Sequence, residues 1–301
     1  MGLVWVTAQQ LLQMMLYMAC GFYLCRRKLV GEDGCRTIAT LLVDLIIPIV
    51  VLRSFLAERT PERTEALLVS LGLALLLLAL SALLARIIFP KNAIEEFAVA
   101  FSNAGFMGVP LITAVIGPHS VFYAAGYVAM MNILQWVYGQ YHMGPDAHPK
   151  KSSPIHPLML SLPLGMLLYF LPVRPPEIVT NALGAIAACN SPLAMILLGI
   201  YLGSTPPRQI FASAASWRVS AARLALLPVV LTCVLWPIPV EQEIKLTLLL
   251  LASASVGTNV ALYAQRAELD YRPATGMVCL STLLSVVSMP LVVALATLVW
   301  Q

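Results

Sequence analysis

LLVSLGLALLLLALSALL, residues 67–84, carries no charged side chain and is aliphatic almost throughout. A helix crosses the hydrocarbon core of a bilayer with about 20 mostly apolar residues. With its apolar flanks this run reaches that length and reads as a membrane span over 65–89. Similar stretches recur along nearly the whole chain. The 301 residues are 60% hydrophobic and only 11% charged, with a mean hydropathy of +0.87. A water-facing surface needs far more charge than that, so the chain is read as an all-α membrane protein with no separate soluble domain.

The apolar pattern predicts ten transmembrane helices, over 3–25, 36–57, 65–89, 96–116, 119–141, 156–172, 177–203, 211–236, 243–265 and 273–300. The first has no Lys or Arg before it and no small-residue cleavage site after it, so it is expected to remain as a span rather than act as a signal peptide. The longest polar connection, HMGPDAHPKKSSPI over 142–155, leaves five spans on each side. It divides the chain into a first repeat, 1–141, a cytoplasmic linker, 142–155, and a second repeat, 156–301. Five is odd, so two such halves insert in opposite directions and form inverted repeats. Arg26, Arg27, Lys28, Arg36, Arg86, Lys91, Lys150, Lys151, Arg208, Arg218, Arg223, Arg266 and Arg272 fall on one side of this topology; Arg53, Arg59, Arg63, Arg174 and Lys245 fall on the other. The thirteen mark the cytoplasmic face, which places both termini outside a cell inner (plasma) membrane.

Two spans are interrupted by polar and helix-breaking residues. The fourth reads FSNAGFMGVPLITAVIG (101–117), with Asn103, Gly105, Gly108 and Pro110 within eight residues. Proline withholds an N–H and clashes with the preceding turn, and glycine weakens the helix. Lipid cannot satisfy the freed backbone groups, so the segment faces protein or a wet cavity. A proline kink with small residues for close packing is the alternative. The ninth reads LLASASVGTNVALYAQRAEL (250–269), with Ser253, Ser255, Gly257, Thr258 and Asn259 at the matching place in the second half. Two broken helices crossing there would aim half-helix N-termini at one point, and such ends attract carboxylates.

Other polar residues lie within the spans. Asp44 sits in VDLIIPIV (43–50), about a turn before Pro48. An Asp at mid-span costs about 2.5–3.5 kcal/mol on insertion scales, so Asp44 is either an ion-coupling residue or an interfacial Asp near Arg36. Asn190 and Pro192 hold the matching place in the seventh span. The fifth carries Asn132, Gln135, Trp136 and Tyr138, with Asn132 and Trp136 on one face. Arg223, in ARLALLP, reads as a snorkelling or helix-end residue, with a substrate contact as the lesser alternative. The six cysteines have no CxxC spacing and read as small packing residues. The four histidines lack ligand spacing, and a metal site among His142, His148 and His156 is the minor reading.

The stretches SNAGFMGVPL (102–111), NSPLAMILLG (190–199), RLALLP (223–228), GTNVALYAQ (257–265) and STLLSVVSMPL (281–291) resemble the auxin efflux carrier family, in its bacterial branch, a group related to bile-acid sodium symporters. The resemblance covers essentially the whole chain. It implies a homodimeric elevator-type secondary transporter. Scaffold helices would be 1, 2, 6 and 7, and transport-domain helices 3–5 and 8–10, with the fourth and ninth crossing at the substrate. By motif it places Asn103 and Pro110 in the first crossover, Gly257, Thr258 and Asn259 in the second, and Asn132 on the fifth helix; the reading of the two breaks adds Gly105 and Ser255 to the expected substrate site. The family's ninth helix usually carries a proline at the crossover. Ser255 and Val256 stand there instead, leaving Gly257 to permit the break.

The expected function is transport of a small organic anion, a mono- or dicarboxylate. The absence of HExxH, GxSxG or an intramembrane acid–base pair speaks against an enzyme. A non-transporting receptor or sensor on the same fold is the alternative. No cofactor is expected; sodium coupling through hydroxyl and amide oxygens, proton coupling through Asp44, and uncoupled transport all fit the residues. The net charge of +4, with no basic stripe, gives no nucleic-acid footprint.

Overall fold

The computed structural model describes residues 2–142, 157–171, 175–266, 269–270 and 272–300. Most of the 142–155 linker, with His148, Lys150 and Lys151, lies outside them, as do His156 and Arg174; so do the side chains of Trp136, His142 and Arg266. Among the described residues the fold is all-helical, with one isolated antiparallel bridge between Ser102 and Val256.

Helices α1 (Gly2–Arg26), α2 (Asp33–Ser54) and α3 (Pro61–Ile88) are long and apolar enough to span a bilayer. The chain then breaks into α4 (Ala93–Ala100) and α5 (Ala104–Val115), followed by α6 (Ser120–His142) and α7 (Pro157–Phe170). Next come α8 (Glu177–Ser204), the short α9 (Pro207–Phe211) and α10 (Ala214–Leu235). A second break separates α11 (Gln242–Ser253) from α12 (Asn259–Arg266), and α13 (Arg272–Val299) closes the chain. In all, α1, α2, α3, α8, α10 and α13 are the six helices of membrane-spanning length and composition among the described residues.

Caps explain the starts. The Thr60 hydroxyl accepts from Arg63 N at 3.2 Å, with Pro61 as the first residue of α3, where its missing N–H has no consequence. The Asn92 carboxamide accepts from Ile94 N and Glu95 N at the start of α4, satisfying two orphan donors. Prolines inside the spans act differently. Regular α-helix gives way to wider π turns over Leu41–Ile46, Ala104–Gly108 and Ala222–Leu226, and each is followed two residues later by Pro48, Pro110 or Pro228. Proline cannot donate back to the preceding turn and its ring crowds the carbonyl there; widening the turn relieves both.

Packing separates lipid-facing helices from central ones. On α3, Leu68, Leu75, Leu76, Leu83 and Ile87 are exposed while Leu67, Ala74, Leu77 and Leu78 are buried. In contrast, every residue of α11 from Ile244 to Ser253 is buried, as is α4 from Glu95 to Ala100. The two interrupted segments therefore form the centre of the bundle. At one edge α1 lies along the second half of α8. A Cβ on Gly199 would stand 1.9 Å from the Met18 carbonyl oxygen, and one on Gly21 1.9 Å from that of Ile196. Only glycine permits that approach, which is how helices associate where lipid removes the hydrophobic drive. Of the cysteines, Cys279 is buried, Cys25 and Cys35 are partly buried, and Cys20, Cys189 and Cys233 are exposed, so packing accounts for three of the six.

Candidate functional site: a cleft at two crossing helix breaks

The breaks meet. Asn103 N donates to the Ser255 carbonyl at 2.8 Å, and Gly257 N donates to the Phe101 carbonyl at 3.2 Å. These two bonds frame the bridge between Ser102 and Val256. The Val256 N–H points away from it and donates to Ser281 Oγ on α13 at 3.1 Å. Ser281 Oγ donates in turn to the Val278 carbonyl. No proline is needed for the second break because the first break and α13 take up its backbone groups. Gly257 serves by proximity: its φ is not in the left-handed region, but a Cβ there would lie 2.9 Å from the Ser102 carbonyl oxygen.

A small, half-open cleft adjoins the crossing. Val43 and Ile47 of α2 form one wall. The rest comes from Ser102, Asn103, Gly105 and Phe106, from Val128, Met131 and Asn132 of α6, and from Gly257, Thr258 and Asn259. Helices α5 and α12 begin here, and the first amide N–H groups of a helix have no intrahelical acceptor. The Asn103 carbonyl accepts from Met107 N and Gly108 N; Gly105 and Phe106 of that same first turn border the cleft. The cleft thus has a partly positive floor and no charged side chain in its lining.

Six of the eight residues expected at the site, Asn103, Gly105, Asn132, Gly257, Thr258 and Asn259, line this cleft. Asn103 is 4% exposed, and its Nδ2 is itself buried with no partner among the described residues. Asn132 turns its Nδ2 back to the Val128 carbonyl at 2.6 Å. Pro110 and Ser255 stand outside the lining. Pro110 follows the π turn that opens α5. Ser255 Oγ accepts from Thr282 Oγ1 at 3.2 Å and faces Met107 Sδ at 3.4 Å. Asp44 lies on an exposed face of α2 next to Val43 and does not line the cleft.

Two residues gain roles that sequence reasoning did not give them. Gln135, buried on α6, accepts from Asn259 Nδ2 at 2.7 Å, and its own Nε2 has no partner among the described residues. The signal was present, a polar residue three positions after Asn132. Arg223 is fully buried, which corrects its reading as a snorkelling or helix-end side chain. Its guanidinium donates to the carbonyls of Val99, Ala252 and Ala254. It therefore neither reaches the interface nor lines the cleft, and leaves twelve cationic residues on the side counted as cytoplasmic.

Comparison with known proteins points to a family of membrane transport proteins. The family model described as "Membrane transport protein" matches residues 6–156 and 147–293. A Rhizobium meliloti (strain 1021) protein named "Putative malonate transporter" is 26% identical over 272 residues, 82% of each chain. A Methanothermobacter thermautotrophicus protein named "Uncharacterized transporter" is 22% identical over 296 residues, 95% of this chain and 97% of its own. With a cleft between two broken helices in a multi-pass membrane bundle, the chain belongs to the auxin efflux carrier family of membrane transport proteins, and is a transporter rather than an enzyme.

Proposed function

We propose that the protein is a secondary active carrier that moves a small organic anion, a mono- or dicarboxylate, across the cell inner membrane by an elevator motion. One observation carries the reading: two half-helix N-termini, the Asn103 carboxamide and the Asn259 carboxamide, which Gln135 holds by a hydrogen bond, gather at one cleft. Helix N-termini and amide donors stabilise carboxylate without a cationic side chain. A relative named for malonate is consistent with that class of cargo. The family match falls into two stretches meeting at the 142–155 linker, as two inverted five-helix halves would divide.

In this reading helices α1, α2, α7 and α8 form a fixed scaffold that pairs in a homodimer, and the crossover helices with α3, α6, α10 and α13 move as a body. A second cavity supports the division. Met14, Met15 and Met18 of α1 and Met195 of α8 face Met107, Thr282 and Ser285 across it. Methionine is unbranched and adaptable, which suits surfaces that slide. Hydrogen bonds cross the same divide, among them Asn190 Nδ2 on α8 to the Gly105 carbonyl at 3.3 Å and the Thr64–Tyr169 hydroxyl pair between α3 and α7 at 3.1 Å. Both termini lie outside.

The test is uptake of a panel of labelled mono- and dicarboxylates by proteoliposomes, paired with thermal-shift binding of the same panel with and without sodium. Asn103→Ala is expected to abolish flux while the protein stays folded; near-normal flux by that variant would remove the site. Binding without flux in the wild type would favour the receptor reading.

A further inference from the structure

Breaking two helices at one point leaves four ends there. The N-terminal pair borders the cleft. The other pair, the ends of α4 and α11, exposes carbonyls that no intrahelical N–H reaches, and each end carries about half a negative charge. At membrane depth neither lipid nor bulk water satisfies them.

One side chain does. Arg223 leaves the π turn of α10 and is fully buried. Its Nη1 donates to the Val99 carbonyl of α4 at 2.8 Å, its Nε to the Ala254 carbonyl at 3.0 Å, and its Nη2 to the Ala252 carbonyl of α11. Tyr127 of α6 lies beside the guanidinium. Among the described residues no carboxylate pairs with Arg223; the buried Glu96 and Glu95 are bound by Arg86 and Arg218 at the far end of α4. A guanidinium does not lose its proton in proteins, so its charge faces two C-terminal half-charges of about equal sum.

Several crossover oxygens that a metal cation could use already accept hydrogen bonds, while the buried Ser253 hydroxyl has no partner among the described residues. The Ser255 carbonyl accepts from Asn103 N and the Phe101 carbonyl from Gly257 N. The Ser255 hydroxyl is bonded to Thr282, and three further crossover carbonyls belong to Arg223.

We propose that Arg223 is the carrier's fixed internal cation: it binds the C-terminal ends of both crossover half-helices where a mobile metal ion would otherwise be required, so the crossover and its cargo affinity are independent of sodium. The cargo half of this statement rests on the carboxylate reading above; the stability half stands without it.

The first experiment measures the unfolding temperature of purified wild-type protein, without cargo, in sodium, potassium and choline salts at about 0.15 M ionic strength. A ligand held only by the folded state raises that temperature in a saturable way. The three salts are expected to give the same value, and a saturable, sodium-specific rise overturns the proposal. The second measures malonate binding by thermal shift in the same salts. Affinity is expected to change by less than about twofold between salts, and a loss of about tenfold or more without sodium overturns the proposal. Wild-type protein that binds no carboxylate in any salt instead refutes the cargo reading, and the unfolding series still judges Arg223. In the third, Arg223→Lys keeps malonate binding within about tenfold of wild type, while the neutral Arg223→Gln, checked as monodisperse, loses more than about tenfold. Wild-type affinity in Arg223→Gln overturns the proposal, and if that variant does not fold the wild-type salt series decides.

Discussion

Replacing Ser281 by alanine tests whether a hydroxyl on a neighbouring helix holds the second break open. Ser281 and Val256 are both fully buried. Ser281 Oγ accepts the Val256 N–H at 3.1 Å. The bridge to Ser102 uses the backbone groups on either side of Val256, so the Val256 N–H has no role in it. Ser281→Ala strands that donor in the centre of the bundle. An unsatisfied buried donor costs about 1–3 kcal/mol. At about 2 °C per kcal/mol for a chain of this size, the unfolding temperature falls by about 2–6 °C. The same helix supplies the control, because Ser288 Oγ is buried without a partner among the described residues. Ser288→Ala therefore breaks no hydrogen bond and is expected not to lower the unfolding temperature. The assay is thermal unfolding of purified protein by intrinsic fluorescence, alongside carboxylate binding, which weakens as the α12 N-terminus loses its anchor. If Ser281→Ala and Ser288→Ala unfold at the same temperature, the account of the break is wrong.

Gly257→Ala would set a Cβ 2.9 Å from one backbone oxygen and 3.3 Å from another; the two breaks must move apart, and flux is expected to fall by about tenfold or more in folded protein, at an overpacking cost of about 1–3 kcal/mol. Retained flux would show that close approach at this point is dispensable. Gln135→Leu keeps the volume but takes the acceptor from Asn259 Nδ2; carboxylate affinity should drop about tenfold, or about 1.4 kcal/mol, and an unaltered dissociation constant would place Gln135 outside the site. Asp44→Asn changes a residue off the cleft lining, so affinity stays within about twofold while the pH dependence of uptake flattens. An unchanged pH profile would dismiss Asp44 as the coupling residue.

Membrane spans such as α3 are legible because bilayer thickness fixes the length of an apolar run. The first break was legible from Asn103, Gly105 and Pro110 together, since no lipid-facing helix tolerates that cluster. The second was legible in place but not in cause. Gly257 suggested backbone freedom, whereas the structure uses its missing side chain for close approach and draws the hydrogen bond from Ser281. Arg223 was misread for a physical reason. Its carbonyl partners lie 29 to 124 residues away, and nothing local separates an arginine that snorkels from one that caps two distant helix ends. One sign was available: Arg223 precedes Pro228 at nearly the spacing by which Asp44 precedes Pro48, and both sit on the wide turns those prolines impose. Pro163 and Pro290 lie inside regular helix, so proline alone does not announce such a turn.

The same crossing sorts charge by direction. Antiparallel contact between the breaks puts both N-terminal ends on the cleft side and both C-terminal ends on the Arg223 side. Each N-terminal end is worth about half a positive charge, and the guanidinium offsets the C-terminal pair. What remains at the cleft is a field of about one positive charge made of backbone, in a lining that contains no Lys or Arg. Such a field cannot be removed by titration or by replacing one lining side chain. It changes only when helix ends move relative to each other, so under the proposed carboxylate reading the residues that hold the crossing, Gly257, Ser281 and Arg223, are expected to influence anion affinity alongside the amides that line it.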